Sequence, residues 1–197
     1  MPRRFARLED LGLARNEFSA LARLRTPRQI QHFLEHISVN HEVGGETLLS
    51  AQQVLIQRRA HCIEAAFVAA CALWIQGRPP LVMHLDCDQS DYPHVVTLFR
   101  QNGVWGAISK SREEGLGYRD PVYRSLRELT MSFFHEYTNK RGRRTLRRYS
   151  VAFDMRRLEP GLWVTSNKSC EEAHDRLVRL RHYALLSRQQ EKLARLR

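Results

Sequence analysis

The stretch Cys62–Gln76, CIEAAFVAACALWIQ, decides how this sequence folds. It is rich in alanine, carries one charged side chain, Glu64, and is closed by Gly77, Arg78, Pro79 and Pro80, whose glycine and paired prolines stop a helix. It therefore reads as a buried helix with Cys62 at its very start. Downstream, Leu81–Leu85 reads as a strand, residues 86–93 as an acidic loop, and His94–Phe99 (HVVTLF) as a second strand. Asn102-Gly103 lies between HVVTLF and VWGAIS, and both turn residues tolerate the positive φ of a type I′ turn. A hairpin with a third strand over Val104–Ile108 follows.

Upstream, Thr26-Pro27 has the form of an N-cap with proline at the first helical position, so a helix runs to about Ile37 with Ile30, Phe33, Leu34 and Ile37 on one stripe. Residues 1–25 alternate Arg with apolar residues at near-helical spacing, 41–46 read as a loop around Gly44-Gly45, and 47–57 as a short helix. Asp120-Pro121 suggests a second capped start, with a helix to about Tyr137 and Val122, Leu126, Leu129 and Phe133 on one face. Leu146–Met155 returns as a strand. Ser169 and Glu172 have capping-box spacing, and the final helix is expected to run from there nearly to the end, with Leu177, Leu180, Ala184 and Leu185 on its apolar side. The expected class is α+β: one domain over 1–197, a core over about 27–156 with the central helix on an antiparallel sheet, additional N- and C-terminal helices, and a basic helical extension over about 168–197.

The 197 residues are 43% hydrophobic and 27% charged, which is globular usage and excludes disorder. No apolar run approaches the ~20 residues of a membrane helix, and the start of the chain lacks a signal-peptide stretch. Cys62, Cys71, Cys87 and Cys170 form no CxxC pair. Reduced thiols and a cytoplasmic location are expected. The formal net charge of +11 is unevenly placed: residues 1–60 carry +3, 61–139 carry −2 and 140–197 carry +10. The basic side chains are 28 Arg and 4 Lys, a bias that genome composition explains as readily as phosphate recognition. A solvated basic face is the plainer reading, and nucleic acid is disfavoured as a partner. The KRGRRTLRR stretch at 140–148 and the C-terminal segment are the surface that an acidic protein partner would meet.

A cysteine in the first turn of a helix meets unpaired backbone N–H groups and the positive end of the helix dipole, and both favour thiolate. Arg58, Arg59 and His61 lie just upstream of Cys62 and would add to that field. The Cys62 amide is in place to help bind an oxyanion. His94, at a strand start and presented by Asp91-Tyr92-Pro93, is the natural base. On spacing alone, a buried structural thiol and a satisfied core histidine are the competing reading.

Resemblance shifts that balance. Cys62 opening an alanine-rich helix, the GRPP break, a strand, Asp91-Tyr92-Pro93-His94-Val95-Val96 and then Gly103-Val104-Trp105 resemble the core of the transglutaminase-like superfamily, relatives of papain-type cysteine enzymes. The chain resembles in particular a bacterial branch of that superfamily. The motif-bearing part covers about residues 50–112, and YRDPVYRSLREL and TLRRYS continue it to about 155. The resemblance implies Cys62 as nucleophile and His94 as general base, in acyl transfer on an amide or ester of a peptide or protein substrate, with no cofactor. The family's third residue, an aspartate a few positions after the tryptophan, is replaced here by Ala107-Ile108-Ser109-Lys110. Ser109 is the nearest match, and Asp91 is an alternative orienter. A serine holds a tautomer but does not offset imidazolium charge, so a degenerate member acting as a binding or scaffolding module through its basic C-terminal third is the alternative function.

Other constellations are weaker. Asp86, Asp88, Ser90 and Asp91 suggest a calcium loop, but the sixth position is Asp91 and the twelfth Thr97, so that loop is rejected. His84 and Cys87 lack the second ligand pair that a zinc site needs, and no metal is expected. Cys71 is assigned to the core, Trp105 to either a cleft or the back of the hairpin, and Glu64 to the helix N-terminus.

Overall fold

The computed structural model describes residues 4–42 and 47–194. Part of the expected 41–46 loop and the last three residues of the expected terminal helix lie outside the described residues. The N-terminal segment forms two short helices, α1 (Leu8–Leu11) and α2 (Arg15–Ala22), separated by Gly12 at φ +69°. Then come α3 (Pro27–Glu35), whose Thr26 cap accepts from the Gln29 amide, the short strand β1 (Ser38–Val39), and α4 (Ala51–Gln57), capped by Ser50. Strand β2 (Arg59–Ala60) pairs parallel with β1 and leads directly into the central helix α5 (Cys62–Ile75).

The main sheet is built from β3 (Leu81–Cys87), β4 (His94–Gln101), β5 (Val104–Ile108), β6 (Arg119–Tyr123), β7 (Leu146–Ser150), β8 (Phe153–Asp154) and β9 (His182–Ala184). Among the described residues its order is β6-β5-β4-β3-β7-β9, with β8 also pairing β3, and every pairing is antiparallel. The β4–β5 hairpin turns at Asn102 and Gly103, both at positive φ. Helix α6 (Leu126–Met131) follows β6, and α7 (Glu171–Val178) and α8 (Arg188–Ala194) flank β9.

Strand periodicity explains how the sheet is covered. Val82, Val95, Phe99 and Ile108 join the core around α5, while Met83, Leu85, Val96, Leu98 and Ala107 join a second core with Leu129, Phe133 and Leu185. Helix α5 is buried from Ile63 to Trp74, as its lack of a polar face requires, and the Thr97 hydroxyl donates to the Ala66 carbonyl at 3.0 Å. The architecture is α+β with a papain-like core. No helix among the described residues is long and apolar enough to cross a membrane.

Three expectations are corrected. Asp120-Pro121 opens no helix: Pro121 lies in β6, at the edge of the sheet, where its missing N–H costs no ladder bond, and Val122 is exposed. The helix starts later, where Ser125 accepts from the Glu128 amide at 3.1 Å. The terminal helix breaks after Val178 because its apolar residues serve different cores: Leu177 packs on the α5 side and Leu185 on the other, so the chain crosses between them as β9 on the free edge of β7. The strand expected over Leu146–Met155 is interrupted between β7 and β8 and ends in a 3-10 turn at Met155–Arg157.

Candidate active site

Cys62 is the first residue of α5, half-buried, with its thiol hydrogen-bonded by two imidazoles, His94 and the neighbouring His61. Burial works to raise the thiol. The facing His94 charge, the hydrogen bonds from His61 and His94 and the His61 charge outweigh it and bring Cys62 down to about 5. The upstream arginines contribute little to this field. The Arg58 guanidinium lies over the Phe33 ring at 5.1 Å, and Arg59 bonds the Gln57 side chain at 3.0 Å.

His94 opens β4 and is buried. Its Nε2 is 2.7 Å from Ser109 Oγ, just past the end of β5, and the Ser109 hydroxyl donates to the Leu116 carbonyl at 2.6 Å. A carbonyl only accepts, so the single hydroxyl proton is committed to Leu116 and Ser109 Oγ must accept from His94 Nε2–H. That fixes the tautomer and leaves Nδ1 for the sulfur. Ser109 is itself clamped. Its amide donates to Gln31 Oε1 at 3.0 Å and its carbonyl accepts from Gln31 Nε2 at 2.9 Å. The next residue, Lys110, donates from Nζ to the carbonyls of Leu34 and Ile37, tying the C-terminal end of α3 to the same strand end.

The N-terminus of α5 rests on Glu64, a fully buried carboxylate. It accepts from the His61 amide at 2.8 Å, the Leu49 amide and Thr47 hydroxyl at 2.9 Å, and the Asn40 side-chain amide at 3.1 and 3.2 Å. The expected placement of Glu64 at the helix start holds, and its reach is wider than a cap. His61 points its Nε2 at the Thr47 carbonyl, 2.8 Å away, with Glu64 and Glu42 carboxylate oxygens at 3.3 and 3.5 Å. Burial works to lower His61, but hydrogen bonding to Cys62, the Cys62 and Glu64 charges and the Thr47 carbonyl push it up to about 9.

Cys62, His94 and Ser109 are therefore brought together, while Asp91 is not part of the cluster. The Asp91 carboxylate accepts from the Thr145 hydroxyl and the Tyr92 amide, so it secures the 88–93 loop instead of the imidazole. Tyr137 secures that loop from below, its hydroxyl donating to the Tyr92 carbonyl. His84 is paired with His182 at 2.9 Å, and among the described residues no group of three or more His, Cys, Asp or Glu side chains is placed to hold a metal ion. Cys71 is fully buried and its thiol pushed up by burial. Trp105 is half-buried beneath the Arg100 guanidinium at 5.1 Å and packs with the second core, at the back of the hairpin. Gln31 and the sulfur contact of His61 are the participants that sequence reading missed. Gln31 gave no signal, lying on a helix 78 residues from Ser109; His61 was visible only as one of several upstream cations.

A family model described as Vasohibin matches residues 47–155, more than half of the chain and a span that includes Cys62, His94 and Ser109. No curated protein matches the chain.

Proposed function

Since the chain belongs to the vasohibin family, a transglutaminase-like, papain-like cysteine-protease fold, we propose that this cysteine-dependent enzyme performs acyl transfer on an amide or ester of a peptide or protein. The observation that carries the reading is the hydrogen-bonded line from the Leu116 carbonyl through Ser109 Oγ and His94 to the Cys62 thiol. In that reading the Cys62 thiolate attacks the carbonyl carbon, and the oxyanion meets the amides of the first turn of α5. His94 Nδ1–H protonates the leaving amine or alcohol, giving a thioester. His94 then takes a proton from water or an acceptor amine, which displaces Cys62 and regenerates the thiolate. Ser109 keeps Nε2–H oriented throughout and needs no charge of its own to do so.

The test is the rate of Cys62 alkylation by iodoacetamide against pH, read by peptide mass spectrometry. Wild-type protein is expected to show a midpoint near 5, and His94→Ala a higher one, because the largest favourable charge on the sulfur is gone. A wild-type midpoint near the ordinary thiol value of about 8.5 would overturn the proposal. The basic C-terminal surface would then become the functional candidate.

A further inference from the structure

The thiol faces two imidazoles, and the two are held in opposite ways. His94 Nε2 meets a hydroxyl oxygen, a neutral group. His61 Nε2 meets the Thr47 carbonyl at 2.8 Å and carboxylate oxygens of Glu64 and Glu42 at 3.3 and 3.5 Å, all of which can only accept. Loss of the Nε2 proton would leave a carbonyl and two carboxylates facing a lone pair. With Nε2 committed as a donor, Nδ1 is the nitrogen that meets the sulfur.

We propose that His61 is a second catalytic histidine, held protonated by Thr47, Glu42 and Glu64 so that its Nδ1–H stabilises the Cys62 thiolate while His94 alone moves protons. This deepens the acyl-transfer reading of the same site and rests on it. The groups facing His61 are Glu42 after β1, the Thr47 carbonyl before α4, Glu64 and Cys62 on α5 and, across the sulfur, His94 on β4. Arg58 and Arg59 on the preceding turn are directed elsewhere, to Phe33 and Gln57. The upward push on His61 has the sign this arrangement requires. A cation that stays charged at neutral pH keeps the sulfur a good leaving group each time the thioester is resolved, without competing for the proton that His94 relays.

The experiment compares iodoacetamide alkylation of Cys62 against pH in wild type, His61→Gln, His94→Ala and the double variant. Glutamine keeps an N–H for Thr47 but carries no charge. Each single variant is expected to raise the midpoint by about one pH unit or more, a tenfold loss of thiolate at any pH below both midpoints, and the double variant to approach an ordinary thiol. A His61→Gln midpoint equal to the wild type's low value overturns the role of His61 while leaving the acyl-transfer reading standing; an ordinary wild-type midpoint overturns both. A second readout does not depend on how His61→Gln folds. The His61 ring C2–H resonance, titrated by NMR in wild type and in Cys62→Ser, is expected to show a midpoint well above 6.5 that falls when the thiolate is removed, since the coupling is reciprocal. A His61 midpoint indifferent to Cys62→Ser overturns the proposal.

Discussion

Ser109 replaces a carboxylate by a hydroxyl, and the consequence is legible in one proton. Its hydroxyl donates to Leu116 and so must accept from His94, which orients the imidazole without offsetting its charge. Ser109→Ala removes the acceptor and leaves two buried polar groups, the Leu116 carbonyl and His94 Nε2–H, without a partner. We expect a loss of about 2–3 kcal/mol of stability by urea denaturation and a slower alkylation of Cys62 below pH 6. Asp91→Asn, by contrast, should leave the alkylation profile where it is, because the Asp91 carboxylate serves Thr145 and the Tyr92 amide. The candidate orienters thus separate by their partners. The family resemblance offered Ser109 as the nearest match to the third residue and Asp91 as an alternative, and only the pairing of β4 with β5 brings Ser109 to the ring.

At the scale of elements, the start of α5 is where four chain segments meet. Asn40 after β1, Thr47 and Leu49 before α4, and His61 at the end of β2 all donate to Glu64. Glu64→Ala strands these donors in a buried place, each unpaired group costing about 1–3 kcal/mol. It should be the most destabilising polar substitution at the site, with a urea midpoint well below wild type and alkylation of Cys62 drifting toward that of an ordinary thiol. Glu64→Gln, which keeps one acceptor oxygen but turns an NH2 toward donors, should fall between the two. The helix itself was legible because CIEAAFVAACALWIQ admits no other placement than a core. The two failed helix readings share a cause: Asp120-Pro121 falls in β6, and the helix expected from Ser169, which starts at Glu171 with Cys170 at its N-cap and no side-chain cap bond, gives way to β9, because both strands are set by free sheet edges, which no local signal reports.

Across the whole molecule, a histidine pair, buried His84 on β3 and half-buried His182 on β9, ties the β9 edge of the sheet to its interior. His182 Nδ1 donates to the Leu180 carbonyl, and His84 Nδ1 meets His182 Nε2 at 2.9 Å, with His84 Nε2 buried and unpartnered. Burial, then the His182 charge, outweigh Asp86 and hold His84 down at about 4. A histidine depressed in the folded state binds fewer protons than the unfolded chain between about 4 and 6.5, so stability rises with pH across that window and is lost as pH falls through it. His84→Gln should flatten that part of the urea-denaturation profile by up to about 1.4 kcal/mol per pH unit. An unchanged slope would mean that His84 already charges in the fold. What the sequence determined by itself is whatever local patterning enforces: a buried helix headed by Cys62, the hairpin after His94, and an α+β class, because periodicity and turn chemistry act over a few residues. Only the tertiary structure decided which side chains converge on the sulfur. His94, Ser109 with its Gln31 clamp, and the Thr47 and Glu42 partners of His61 come from separate segments, and the hydrogen bonds that assign their roles exist only once α3, α5 and the β4–β5 hairpin have packed.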